Sequence, residues 1–318
     1  MALAEEARAR QQHTFAGRLA RVIDKTVSER APLPMSRLPA SVSGALAERK
    51  PRLRFRDLVL SRDNQELLTE LRTEHEQADL LYSHSLQPRR SVLLVGPPGN
   101  GKTSLAEAIA AELGVSFYAL RYEGVVGSFL GETAAKLSAV MEYASSTPCV
   151  LFFDEFDAVG KERGDIHETG EIKRVVSSLL MQFDALPPHV VLVCATNHPE
   201  LLDRAVWRRF EVRLDLPNPS RRQLKAWFER AFPALDQVDP TLAGELSEKF
   251  RGKSFAEAEQ FSLDVQRRLV LSEKRLDEVD AIRLTVKRWK SRLASTRQKN
   301  GHRASDPNPD LFERDEEG

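Results

Sequence analysis

Two cysteines in 318 residues are too few for a disulfide scaffold. Both, Cys149 and Cys194, fall inside apolar strand-like runs, where reduced thiols are buried, and this favours a cytosolic location. Long hydrophobic runs are missing as well. Val92–Val95 and Val190–Ala195 are among the longer ones, far short of the ~20 residues a membrane-spanning helix needs. Neither sign of charge is in excess: Lys+Arg and Asp+Glu both number 47, so no global field draws the chain to nucleic acid or anionic lipid. The first residues, Met1-Ala-Leu-Ala-Glu-Glu-Ala-Arg, lack the apolar stretch of a signal peptide, and Glu5 and Glu6 argue against a transit peptide. Metal-ligand spacing is absent too. His75-Glu76-Gln77-Ala78-Asp79 and His167-Glu168-Thr169-Gly170-Glu171 each lack the second histidine of H-E-x-x-H. What is present is apolar material, 41 % of residues, enough for a sizeable core and enough to exclude a disordered chain. At ~150 residues per domain, the length implies about two domains.

The chain divides into four stretches. Residues 1–50 read as a helix, with Phe15, Leu19, Val22 and Ile23 on one face, followed by a linker marked by Pro32, Pro34 and Pro39. Residues 51–219 alternate apolar runs with helical patterns, the signature of a parallel sheet between helices. Five strands are expected: Val115–Leu120, Val150–Phe153, Phe210–Leu216 and the two runs named above. The run from Phe210 alternates apolar and charged residues, as an edge strand with one wet face does. Residues 220–295 turn to helical periodicity, with capping-box spacing at Ser220/Gln223 and Ser254/Glu257, and form a small all-helical domain. Residues 296–318 read as a polar, disordered tail.

Three segments carry chemistry. Gly96, Pro97, Pro98, Gly99, Asn100, Gly101, Lys102 and Thr103, with Ser104 next, fit G-x-x-x-x-G-K-[ST] between an apolar strand and a helix. The glycines let backbone N–H groups converge on phosphate oxygens at a helix N-terminus. Lys102 would neutralise the β and γ phosphates of ATP, and Thr103 would offer its hydroxyl to Mg²⁺. The run from Cys149 ends in Asp154 and Glu155, at the strand end where open α/β sheets bind ligands. Asp154 would hold Mg²⁺, and Glu155 would act as general base on the attacking water. The run from Val191 ends in Thr196-Asn197, placing the Asn197 amide within reach of that water.

With Arg208-Arg209-Phe210 added after Leu202-Asp203, the sequence resembles the AAA branch of the AAA+ ATPases from about Phe55 to Val270. The resemblance implies a P-loop NTPase sheet followed by a helical lid, in a homo-oligomeric ring, most often a hexamer, with ATP at subunit interfaces. Arg208 and Arg209 match the trans-acting arginines that reach a neighbour's γ-phosphate. Phe129, Leu130 and Gly131 match the pore loop that grips a polypeptide substrate, with Lys161–Gly170 as a second central loop. Val59 and Leu60 fall where the family places its adenine pocket. The segment Gly252-Lys253-Ser254-Phe255-Ala256-Glu257 is similar to the Gly-x-Ser-Gly-Ala-Asp type of protein-remodelling members, with Phe255 and Glu257 as departures.

The expected activity is therefore ATP hydrolysis coupled to remodelling, unfolding or translocation of a protein. A peptidase, if one takes part, would be a separate chain, and the apolar face of the N-terminal helix would either dock an adaptor or pack on its own domain. Two alternatives stand beside this. A nucleic-acid-linked ATPase would use the basic run Arg283, Lys287, Arg288, Lys290, Arg292, Arg297, Lys299 and Arg303 around Trp289. An assembly switch would bind ATP without splitting it, against which Glu155, Asn197 and Arg208 argue.

Overall fold

The structure is a computed structural model that describes residues 38–125, 130–157, 179–233, 235–273 and 275–294; for 130, 131, 205, 236, 237 and 291–294 it describes the backbone only. The chain forms two compact units, residues 1–40 and 41–318. The expected N-terminal helix with Phe15, Leu19, Val22 and Ile23, and the expected tail, lie outside the described residues.

Among the described residues six strands form one sheet: β1 (Leu46–Arg49), β2 (Ser91–Val95), β3 (Ser116–Leu120), β4 (Cys149–Phe153), β5 (Val190–Thr196) and β6 (Val212–Asp215). Their order is β1-β3-β4-β5-β2-β6, all parallel except β1, which runs antiparallel to β3. The chain leaves β2 towards β3 on one side and returns as β6 on the other. Such a reversal opens a crevice at the C-terminal end of the strand between. The strand ends lie flush there: Val95 pairs with Thr196 on one side and Asp215 on the other.

Strands β2, β4 and β5 are buried on both faces, which is why they are uninterrupted apolar runs. One face packs against α1 (Arg62–Glu76) and α2 (Lys102–Leu113), where Leu68, Leu71, Leu105 and Ile109 meet Val92, Leu94, Phe117, Phe152 and Val193. Elsewhere in the core Phe153, Phe156, Phe183 and Phe210 pack edge-on, with centroid distances from 5.2 to 6.2 Å. Edge strand β6 alternates as its sequence does, Val212 and Leu214 buried, Arg213 and Asp215 exposed. Strand β1 is not among the five expected. It is four residues long and ends in Glu48-Arg49, too short and too polar for a periodic signal. Helix α3 (Leu130–Ser145) joins β3 to β4.

Beyond β6 the chain is helical: α4 (Arg221–Ala231), α5 (Leu242–Lys249), α6 (Phe255–Leu271) and α7 (Glu278–Ala294). Both expected capping boxes form, at Ser220/Gln223 and Ser254/Glu257. Phe228, Phe250, Phe261 and Trp289 fill the core of this part, with ring centroids 5.1 to 6.2 Å apart. The Trp289 indole donates to Asp264 Oδ2 at 3.1 Å. Trp289 is thus a core residue, and Arg283 pairs with Asp239 at 3.0 Å. Cys149 and Cys194 are buried and free; burial pushes the Cys149 thiol up to about 12 and the Cys194 thiol well above its usual range.

Candidate nucleotide site

The site grows from the end of β2. Gly96 N–H extends the ladder to Thr196 O at 3.2 Å, and the backbone then turns at φ +151°. A Cβ at Gly96 would run into the Leu216 carbonyl, so this turn beside β6 tolerates glycine alone. Lys102 lies in the first turn of α2 and is buried. Its ammonium donates to Gly96 O at 2.6 Å, Pro97 O at 3.0 Å and Asn197 Oδ1 at 2.7 Å. These three acceptors take all three of its protons. Burial pushes the Lys102 pKa down, and Asp154 and Asp157 nearby oppose that shift.

Thr103, one residue on, donates its hydroxyl to Asp154 Oδ2 at 2.9 Å. The other Asp154 oxygen accepts from Glu155 N–H at 3.0 Å. Glu155 adopts φ +47°, a left-handed conformation that costs a non-glycine residue of order 1–3 kcal/mol. Its side chain is exposed. A hydroxyl and a carboxylate oxygen side by side are hard donors of the kind Mg²⁺ takes.

One residue unforeseen from the sequence completes the floor. Asp157 is buried and accepts from the Thr196 hydroxyl at 2.8 Å and from Asn197 N–H at 3.3 Å. It therefore fixes the polar end of β5, and with it the Asn197 amide that meets Lys102. Nothing local marks this aspartate, since its partners stand about forty residues later. Asn100, expected with its loop at the phosphates, is buried, and its side chain bonds to Asn218 and to the start of the helical part.

The sites of the other expected residues differ. Ser61 caps α1, and the Asn64 amide reaches Asp215 O at 2.8 Å, which puts Val59 and Leu60 beside the end of β6. Leu60 packs on the sheet core, and both residues are half-buried. Arg208 and Arg209 are not brought to the P-loop. The Arg209 carbonyl accepts from Ser91 Oγ at 2.8 Å, at the opposite end of β2. The strand's rise of ~3.3 Å per residue sets that end roughly 16 Å from Gly96. Arg209 is tied to Asp184 at 3.2 Å, while Arg208 is exposed and has no side-chain partner among the described residues. Phe129 and the stretch 161–170 lie outside the described residues; Leu130 and Gly131 begin α3.

Among the described residues no helix is long and apolar enough to cross a membrane, and no cluster of three metal-ligating side chains occurs. Residues 92–218 match the model of the ATPase family associated with various cellular activities (AAA). The chain is 35 % identical over 270 residues to the uncharacterized AAA family ATPase y4kL of Sinorhizobium fredii, covering 81 % of this chain and 80 % of that one. It is 32 % identical to a cell division cycle protein 48 homolog of Archaeoglobus fulgidus, over 70 % of this chain and 31 % of the relative. It is 33 % identical to ATP-dependent zinc metalloprotease FtsH 4 of Sphaerobacter thermophilus, over 65 % of this chain and 33 % of the relative. The chain thus spans most of the first relative and about a third of the other two. With a nucleotide cradle at the crevice of a parallel sheet and a helical part beyond it, the chain belongs to the AAA family of ATPases.

Proposed function

We propose that this ATPase hydrolyses Mg²⁺-bound ATP at sites completed by a neighbouring copy in a ring of six, and that turnover remodels, unfolds or translocates a polypeptide through the central pore. The observation that carries this reading is the division of the charged residues between two ends of one strand. Lys102, Thr103, Asp154, Glu155 and Asn197 gather at the C-terminal end of β2. Arg208 stands exposed at the other end, with no side-chain partner among the described residues, where it serves a neighbour and not its own chain.

In this mechanism the backbone N–H groups from Gly96 to Ser104 hold the phosphates, and Lys102 meets the β and γ oxygens. Val59 and Leu60 flank the adenine. Thr103 and Asp154 would hold Mg²⁺, which supplies charge neutralisation at the phosphate oxygens when bound. Glu155 takes the proton from the attacking water, and Asn197, held by Asp157, orients that water. Arg208 of the next copy meets the charge that develops on the γ-phosphate, with Arg209 as its support. Polypeptide as substrate is supported by the resemblance of Gly252–Glu257 to the protein-remodelling type and by a relative named as an ATP-dependent protease. Phe129, Leu130 and Gly131 would grip it. Burial of Trp289 in the lid core removes the aromatic that a nucleic-acid reading would use.

Mixing two inactive variants tests the shared site. Arg208→Ala and Lys102→Ala should each hydrolyse almost no ATP alone. Combined, roughly a quarter of random interfaces regain both halves, and phosphate release returns. No recovery in verified mixed assemblies would reject the trans role. An unstructured polypeptide in excess should raise wild-type turnover, and duplex DNA should not; the reverse would reject the protein substrate.

A further inference from the structure

Helix α6 begins beside Gly99 and Asn100 of the P-loop, and its first backbone donors are not left to water. A helix exposes N–H groups in its first turn that need partners from outside. Here Phe255 N–H donates to Asn100 Oδ1 at 3.4 Å, and Ala256 N–H donates to Gly99 O at 2.9 Å. Glu257 N–H donates to Ser254 Oγ at 3.3 Å. Two of these three acceptors belong to the P-loop. The fit is close: Gly99 has φ +79°, and a Cβ there would lie 2.9 Å from Ala256 Cβ and 3.0 Å from Ser254 Oγ.

The Asn100 side chain is held in turn. Its amide donates to Asn218 Oδ1 at 3.0 Å and to Leu216 O at 3.4 Å. The Asn218 amide donates onward to Gly252 O at 3.3 Å. Two side-chain amides therefore connect four pieces of chain: the P-loop, the end of β6, the linker into the helical part, and the turn that starts α6. Lys102 faces the other way, towards Asn197, so one loop presents its lysine to the phosphate site and its Gly99–Asn100 segment to the lid.

We propose that Asn100 and Asn218 are positioning residues that couple phosphate binding in the P-loop to seating of the lid helix. Phosphate oxygens order the N–H groups on one side of the loop. That fixes the peptide whose carbonyl, at Gly99, and side chain, at Asn100, cap α6 on the other side. By reciprocity, a seated lid helix favours the phosphate-binding shape of the loop. Neither asparagine touches a reacting atom in this role. The proposal rests on the reading that residues 96–104 hold the nucleotide phosphates.

The experiment uses the full chain, ADP as the probe, and hydrogen exchange at the amides of residues 254–258. ADP should slow their exchange in the wild type. Asn218→Ala, at an exposed position outside the phosphate cradle, should speed exchange without nucleotide and shrink the protection ADP gives. The same variant should raise the Kd for ADP and the KM for ATP roughly fivefold or more, with kcat at saturation kept. Asn218→Asp still accepts from Asn100 but no longer donates to Gly252, and should fall between. Wild-type exchange that ignores bound ADP would overturn the coupling. So would an Asn218→Ala chain with wild-type affinity and wild-type exchange, or one in which kcat and thermal stability fall while KM stays put. ADP that fails to bind the wild type would sink the phosphate reading as well, and is told apart because the nucleotide-free exchange difference survives it.

Discussion

Lys102 Nζ donates to Asn197 Oδ1 at 2.7 Å, across the gap between the P-loop helix and the end of β5. One bond thus ties the residue expected to meet the phosphates to the residue expected to orient water. Asn197→Ala leaves Lys102 two acceptors and removes the amide. It should lower kcat on the order of 10²-fold, as loss of one oriented donor does elsewhere, with a small change in ATP affinity. Asn197→Asp should also weaken ATP binding, because a carboxylate at this distance holds the ammonium and repels phosphate. Nucleotide titration and phosphate release separate the two effects. Equal ATP affinity in both variants would contradict this account.

Arg208 and Arg209 differ in surroundings rather than in type. Arg209 is spoken for by Asp184, and Arg208 is free among the described residues. Arg208→Ala should cut turnover by about 10³-fold or more with ATP binding kept. Arg209→Ala should cut it less, and Asp184→Ala should mimic part of the Arg209 effect. Turnover of all three variants under matched assembly checks the ranking.

Both thiols should resist an aromatic disulfide reagent at pH 8 and react fully once the chain is unfolded, because burial pushes Cys149 up to about 12 and Cys194 well above its usual range. The folded chain keeps these protons above pH 9.0, where unfolded thiols lose them. Stability should therefore fall as pH rises from 9.0 towards 12, and Cys149→Ser should flatten that fall. Melting temperature against pH measures it.

Phe261→Ala removes a ring that meets Phe228, Phe250 and Trp289 in the helical part. A loss of ~3–5 kcal/mol is expected from such a deletion. Denaturant unfolding followed by tryptophan emission should show it, since Trp289 packs directly on the ring. A midpoint shift near zero would mean that this core is not what holds the helices together.

The sheet was legible where strands are buried on both faces. The runs that end at Val95, Phe153 and Thr196 are uninterrupted apolar segments, each followed by polar residues, and the site forms where those polar residues meet. The helix starts at Ser220 and Ser254 were legible because a capping box is a local pattern. Strand β1 was not, since Leu46-Ala47-Glu48-Arg49 takes its identity from pairing with Phe117–Leu120. Asp157 is not legible for the same reason: its work is done on Thr196 and Asn197, across the sheet. The distinction between Arg208 and Arg209 depends on Asp184, again a partner the local sequence does not announce.

Strand β1 also decides where this chain can be cut. It occupies the outer flank of β3, whose peptide groups from Phe117 to Leu120 would otherwise stand open. A fragment started at Pro51, where the sequence alone places the first α/β residue, would shed that cover and leave a bare strand margin for another molecule to pair with. Insoluble product would be the outcome, although every residue of the nucleotide site is retained. A fragment started at Ser41 keeps the flank closed.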